Sequence, residues 1–163
     1  MTEPLEALIA AGRALEDEGR DDEAVAWFTR LAVQYPDDAR VQFETGGAYD
    51  SAGHEAEAVT YYRRALALGL PEDALPKVAV QLGSSLRNIG EYAEAVAILE
   101  QAAARFPENH AVRAFLALAL FSAGRQAEAL AVMLRMTVET PGFYERYHRS
   151  LRQYADMLVN PDQ

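Results

Sequence analysis

The sequence has no cysteine among its 163 residues, and it has one tryptophan and one lysine. Without thiols, neither a disulfide framework nor a thiolate metal centre can form. No apolar run reaches the roughly 18 residues that a membrane span needs. The acidic start, Met1 to Pro4, is unlike a secretory signal. These absences predict a cytoplasmic protein that does not enter a membrane.

Basic residues are scarce relative to acidic ones. Lysine and arginine together number 15 against 25 for aspartate and glutamate, so the net charge is −10. Binding a phosphate backbone requires a positive face that releases counterions, and we therefore expect no nucleic-acid partner. Negative charge favours solubility or a basic protein partner. The preference for arginine over lysine, together with abundant alanine, is typical of bacterial genomes rich in G and C.

Residue patterns that would carry catalysis are missing from the sequence. His54, His110 and His148 are scattered and have no metal-ligand spacing. Ser84 and Ser85 lack the surrounding G-x-S-x-G of a nucleophile elbow. The acidic run over 16–23 does not match a calcium loop, and it lies where a helix N-terminus favours negative charge. We predict no catalytic residues, no metal site, no cofactor and no enzymatic activity.

What the sequence does contain is a pair of amphipathic helix patterns that recurs along the chain. The stretch 82–107 shows it best, with apolar residues at spacings of three and four on either side of a glycine turn. Equivalent turn glycines are 34, 37 and 34 residues apart, at Gly19, Gly53, Gly90 and Gly124. One such pair cannot bury its apolar faces alone, so the copies are expected to stack.

Three further positions repeat at fixed distances from each turn glycine. Seven residues before it stands a small residue: Gly12, Gly46, Gly83 and Ala117. Five residues after it stands an alanine: Ala24, Ala58, Ala95 and Ala129. Nine residues after it stands a large residue: Phe28, Tyr62, Leu99 and Met133. A proline follows at Pro36, Pro71, Pro107 and Pro141, where it ends the second helix.

This pattern resembles the tetratricopeptide repeat (TPR) family, whose period is 34 residues. The early tryptophan of that family is absent; Leu8, Gln42, Ala79 and Arg113 take its place. The resemblance implies an all-α fold, a right-handed α-solenoid of helix-turn-helix repeats. It places four repeats at about 4–37, 38–71, 76–108 and 109–142 in a single domain.

The ends and the middle of this array have features of their own. A further helix pattern at about 143–159 is expected to cap the open apolar end of repeat four. No cap precedes repeat one, so Leu8 and Leu15 are expected to leave an apolar edge there. Three extra residues with two prolines at 69–76 predict a joint between repeats two and three.

The resemblance also implies where a ligand binds, because the first helices of such repeats line a concave groove. We expect the polar side chains in repeat three to hold a peptide backbone or carboxylate and the apolar ones in repeat four to hold an apolar side chain. Phe121 packing under the cap is the alternative. The groove candidates by repeat position are Phe43, Gly47, Lys77, Gln81, Ser84, Arg87, Asn88, Leu118, Phe121 and Ser122.

Two functions are consistent with these features. The first is a non-catalytic adaptor that binds a peptide or protein segment in its groove. The alternative is a scaffold that assembles with itself, as a homodimer, through an end or edge of the array. A repeat array determines a shape and leaves the ligand open.

Overall fold

The computed structural model describes residues 4–139 and 147–160, and all regular structure within those two ranges is helical. The first helices of the four repeats are α1 (Leu5–Asp17), α3 (Ala39–Ser51), α5 (Leu75–Asn88) and α7 (His110–Ser122). Their partners are α2 (Asp21–Gln34), α4 (Glu55–Leu68), α6 (Tyr92–Arg105) and α8 (Gln126–Glu139), and α9 spans His148–Val159. The predicted helix-turn-helix architecture is confirmed.

The turns inside the repeats lie at the predicted glycines. Gly19, Gly53, Gly90 and Gly124 all have positive φ, from 70° to 89°. Residues other than glycine rarely adopt that backbone conformation. It reverses the chain within three or four residues and brings the second helix back along the first. Asp38 and Asn109 cap α3 and α7 by accepting hydrogen bonds from backbone N–H groups of the first turn.

In repeats one to three, the small residue of the first helix lies directly against the large residue of the second. A Cβ atom at Gly46 would lie 2.6 Å from two ring carbons of Tyr62, and one at Gly83 would lie 2.6 Å from Leu99 Cδ1. Both large side chains are fully buried. Glycine therefore sets how closely the two helices of a repeat approach each other.

The extra residues between repeats two and three do not interrupt the core. They form a short 3-10 turn, Glu72–Ala74, after Gly69, and α5 then begins at Leu75. One continuous cluster of buried side chains runs from α3 to α8 across this segment. A separate cluster joins α1, α2 and one face of α3. The boundary between the clusters therefore lies within α3, which also buries the polar side chains of Gln42, Glu44 and Thr45.

The C-terminal helix is present, but it covers a different face from the one expected. Helix α9 packs against α8, where Ala131 and Val138 are buried and Arg135 pairs with Asp156 at 2.8 Å. It leaves Phe121 63% exposed. The expectation that Phe121 packs under the cap is therefore wrong, and residues 143–146 and Pro141 lie outside the described ranges.

The N-terminal edge also differs from expectation. Leu8 and Leu15 are half-buried against the cluster that contains Trp27, and the Trp27 indole N–H donates to the Leu8 carbonyl oxygen at 2.9 Å. The residues that α1 leaves exposed on its outer side are small, among them Ala11 and Ala14. The edge is apolar, as predicted, but alanines rather than leucines form it.

Candidate functional site

The first helices of repeats one to three lie side by side and surround a cavity of about 340 Å³. Its floor is apolar and its rim is charged. A ligand could therefore bury an apolar group on the floor while the charged side chains fix its orientation. The 3-10 segment closes one side of it. The lining residues are Glu6, Ile9, Ala10, Arg13, Arg40, Phe43, Glu44, Leu70, Pro71, Asp73, Ala74 and Lys77.

Two of the predicted groove residues meet in this cavity. The Lys77 ammonium lies 5.1 Å from the centre of the Phe43 ring, within cation–π range. The Phe43 ring in turn packs on Tyr62 with ring centroids 5.8 Å apart. Phe43 is 7% exposed, so its ring is a fixed part of the floor. Lys77 is exposed and able to move.

Ion pairs between repeats one and two hold one wall of the cavity in place. Arg13 donates two hydrogen bonds to the Glu44 carboxylate, one from Nε to Oε2 at 2.9 Å and one from Nη2 to Oε1. This pairing raises the pKa of Arg13. Arg40 donates to Glu6 at 2.8 Å. The Glu44 side chain is only 10% exposed, and burial of a carboxylate requires such a partner.

Next to this wall, Gly47 leaves an open notch in the groove. A Cβ atom placed there would meet Glu16 Oε1 at 3.9 Å and no other atom within 4 Å. Burial, and secondarily the charge of Glu44, raises the pKa of Glu16 to about 7. Burial also raises the pKa of Asp50, which accepts a hydrogen bond from Ser85 Oγ at 2.8 Å. The notch is therefore bordered by the Glu16 carboxylate, whose charge is incompletely compensated.

Burial and the same carboxylates raise the pKa of the Tyr62 hydroxyl, which lies beneath α3. Tyr62 is fully buried, and its hydroxyl has no hydrogen-bond partner of normal geometry. The floor of the groove under Gly46 therefore combines a neutral phenol with carboxylates above it. Among the described residues, Arg13 is the cation that lowers the pKa of Glu16.

The predicted polar residues of repeat three follow one face of α5. Arg87 donates to the Asn88 side-chain oxygen at 2.9 Å, and Ser84 is half-buried. Two buried atoms on this face, Gln81 Oε1 and Arg87 Nε, have no hydrogen-bond partner in the described part of the chain. Unpaired buried polar atoms are uncommon and each costs about 1–3 kcal/mol.

The structure separates the remaining candidates from this groove. Leu118 and Phe121 line a different cavity, whose other walls come from α7 and α8 at the end of the array. Ser122 lies beside the turn glycine Gly90 and Tyr92 of the preceding repeat. The linings of these two cavities include none of the repeat-three candidates, and the expectation that repeats three and four share one peptide site stays a prediction.

Some residues of the site were not among the sequence candidates. Leu70, Pro71 and Ala74 form a wall of the cavity, and the three extra residues of this spacer were the signal that could have indicated them. Ser85 positions Asp50 from the neighbouring repeat. A polar residue at a core position of a helix, as Ser85 is, marks such a contact.

Within residues 4–139 and 147–160, no three histidine or acidic side chains come close enough to hold a metal ion. Across the same ranges, every helix is too short or too polar to cross a membrane.

These features define a helical-repeat binding scaffold, a class that is generally non-catalytic. A family model described as tetratricopeptide repeat matches residues 39–158, and a second matches residues 5–46. The chain therefore belongs to the tetratricopeptide repeat family, and its fold is the right-handed α-solenoid of that family. No curated protein sequence matches the chain at a significant level.

Solved structures share the fold at low sequence identity. Desulfovibrio magneticus MamA is 17% identical with a TM-score of 0.70, covering 98% of this chain and 96% of that one. YrrB, described as a TPR protein with an unusual peptide-binding site, is 18% identical with a TM-score of 0.69, covering 96% and 86%. The Yersinia enterocolitica secretion chaperone SycD, solved with a YopD peptide, is 21% identical with a TM-score of 0.63, covering 76% and 97%.

Proposed function

We propose that the groove formed by α1, α3 and α5 binds a segment of a partner protein and that the chain acts as a non-catalytic adaptor in the cytoplasm. The observation that carries this proposal is the 340 Å³ cavity, which three consecutive repeats and the 3-10 segment build together. An apolar floor with a charged rim is the composition of a specific binding pocket.

The groove has three kinds of contact to offer along its length. The cavity over Phe43 takes an apolar side chain, with Lys77 at its rim. The notch at Gly47 takes a basic side chain, because the Glu16 carboxylate borders it. We therefore expect a segment that carries an apolar anchor and a lysine or arginine, in keeping with the net charge of −10.

Beyond the notch, the polar face of α5 is suited to a peptide backbone. Gln81 and Ser84 are half-buried, and Arg87 and Asn88 are a bonded pair at the edge of the groove. A peptide carbonyl or N–H group there would supply partners for a face that has unpaired polar atoms. Peptide binding by the structural relatives SycD and YrrB, as their descriptions state it, supports the same use of this surface.

The proposal is tested with a random 12-residue peptide library displayed on phage and selected against the purified protein. We expect the selected peptides to share an apolar residue and a basic residue. Their affinities are then measured by calorimetry for the unchanged protein and for Gly47→Ala and Lys77→Glu. Gln101→Ala, on the exposed outer side of α6, is the matched control.

Gly47→Ala is the informative variant because the fold has room for the methyl group. We expect it to weaken binding roughly tenfold, about 1.4 kcal/mol, while leaving the protein at least as stable. If Gly47 were needed for the fold instead, Gly47→Ala would lower the stability of the protein and its affinity for the peptide together. Selected peptides that bind Gly47→Ala, Lys77→Glu and the unchanged protein equally well would refute the groove as the binding surface.

A further inference from the structure

A second apolar surface lies at the C-terminal end of the array, on the side of α7 and α8 that points away from repeat three. Four large side chains are exposed there: Leu118 by 48%, Phe121 by 63%, Leu130 by 51% and Met133 by 41%. Together with small neighbours they line a cavity of about 590 Å³ with almost no polar surface. We call these four residues the terminal face. Clustered exposure of this kind marks an interaction surface.

The two positions of this face on α8 are buried in repeat three, whereas the two on α7 correspond to the half-buried Ser84 and Arg87. Leu130 and Met133 correspond to Val96 and Leu99 of repeat three, which are 3% and 1% exposed. In repeats two and three, the first helix of the next repeat packs on this side, as α5 does on α4 and α7 on α6. The terminal face is therefore an apolar stacking surface that no further repeat covers in the described part of the chain.

Helix α9 does not fill this position. It packs on the outer side of α8, where Ala131 and Val138 are buried. The matching residues of α6, Ala97 and Ala104, are exposed. Among residues 4–139 and 147–160, the four side chains of the terminal face thus remain exposed beside α9.

The opposite end of the same chain carries a helix suited to this surface. α1 is the first helix of repeat one. Its outer positions Ala7, Ala11 and Ala14 correspond in α3 to Val41, Thr45 and Ala48, all fully buried. Thr45 Oγ bonds to the Phe28 carbonyl oxygen of the preceding repeat, which shows that this side of a first helix is the stacking side.

In α1, two of these three positions, Ala11 and Ala14, are exposed. The outer side of α1 is thus built of small uncharged residues, whereas the terminal face is built of large ones. The two surfaces complement each other in size, and the three alanines of α1 and the four residues of the terminal face are all uncharged.

We propose that the terminal face of one chain binds α1 of a second copy, so that chains stack head to tail in the way that repeats stack within one chain. This contact joins two different surfaces and leaves one of each free at the ends of the pair. Assembly is therefore open-ended. It does not depend on the groove and so stands apart from the proposed peptide binding.

The test is sedimentation equilibrium over a concentration range from about 5 to 500 µM, with two blocking variants. Phe121→Arg places a charge in the terminal face, and Ala11→Arg places one on α1. Both residues are exposed, so both variants are expected to fold, which circular dichroism checks. Ala97→Arg, an identical change to arginine on the exposed outer side of α6, is the matched control.

We expect the average mass of the unchanged protein and of Ala97→Arg to rise with concentration past twice that of one chain. Each blocking variant alone is expected to stay monomeric. An equimolar mixture of the two is expected to form a dimer that does not grow further, because each partner supplies the face that the other lacks.

Three outcomes would overturn the proposal. The first is a strict monomer at every concentration. The second is a closed dimer of the unchanged protein that Phe121→Arg abolishes and Ala11→Arg does not affect, since two terminal faces would then bind each other. The third is a mixture of the two blocking variants that remains monomeric while the unchanged protein associates.

Discussion

The adjacent glycines of α3 offer a direct test of how the repeats pack. Gly46→Ala and Gly47→Ala make the same chemical change one residue apart on the same helix. Each removes a glycine that costs the helix about 1 kcal/mol relative to alanine. The surroundings differ: the new Cβ would lie 2.6 Å from Tyr62 at position 46 and 3.9 Å from Glu16 at position 47.

The magnitudes follow from these distances. Carbon atoms in contact prefer about 3.5–4.0 Å, so Gly46→Ala forces the buried Tyr62 ring to move by about 1 Å. Overpacking of this kind costs about 1–3 kcal/mol, which offsets or exceeds the gain in helix propensity. Gly47→Ala keeps the full gain. We therefore expect the two variants to differ by about 1–3 kcal/mol in the free energy of unfolding.

Thermal unfolding followed by calorimetry measures this difference. For a chain of this size 1 kcal/mol shifts Tm by about 2–4 °C. Gly47→Ala should unfold about 2–4 °C above the unchanged protein, and Gly46→Ala roughly 2–12 °C below Gly47→Ala. In a Tyr62→Ala background the penalty at position 46 should disappear. Equal stabilities for Gly46→Ala and Gly47→Ala would refute the reasoning.

Three further changes probe the groove wall and the turns. Because the pKa of Glu16 is raised to about 7, the protonated carboxyl stabilises the fold fully below about pH 4.5, and this stability is lost as the pH rises through 7. Glu16→Gln should therefore raise the free energy of unfolding by about 1 kcal/mol at pH 8, after allowance for solvent screening, and by little at pH 5. Urea titrations measure this difference, and Glu57→Gln on the exposed surface should not show it. Arg13→Ala leaves the buried Glu44 carboxylate without its ion-pair partner and should lower the free energy of unfolding by about 1–3 kcal/mol in the same assay. The double variant Arg13→Ala/Glu44→Gln should recover most of that loss, because it removes the unpaired charge. Gly90→Ala places a side chain at φ +89° and should cost about 1–2 kcal/mol in thermal melts, with Gly90→Asn costing less; equal stability of both would contradict the strained turn.

Local residue chemistry was sufficient to predict much of this fold. The turn glycines and the small-to-large pairs, such as Gly83 with Leu99, depend on contacts within one repeat. Their spacing along the chain therefore carries the information. The surface against which α9 packs could not be predicted in this way. Its apolar residues fit either the end of repeat four or the outer side of α8, and only packing distinguishes the two.

The groove shows the same division. Lys77 and Phe43 could be assigned to it from their repeat positions, and the cavity contains both. The wall formed by Leu70 and Pro71 could not be assigned to the groove from the sequence. The sequence shows three extra residues but not the direction in which they turn. Likewise, the pKa of Glu16 depends on burial by another repeat.

The sequence by itself determined that paired helices recur, where each pair turns and which residues meet inside it, because these contacts are made between residues less than about 20 positions apart. Only the tertiary structure decided which surfaces stay open. Exposure at the groove and at the terminal face depends on what the neighbouring repeat or α9 covers, and the order of residues in one repeat does not encode that.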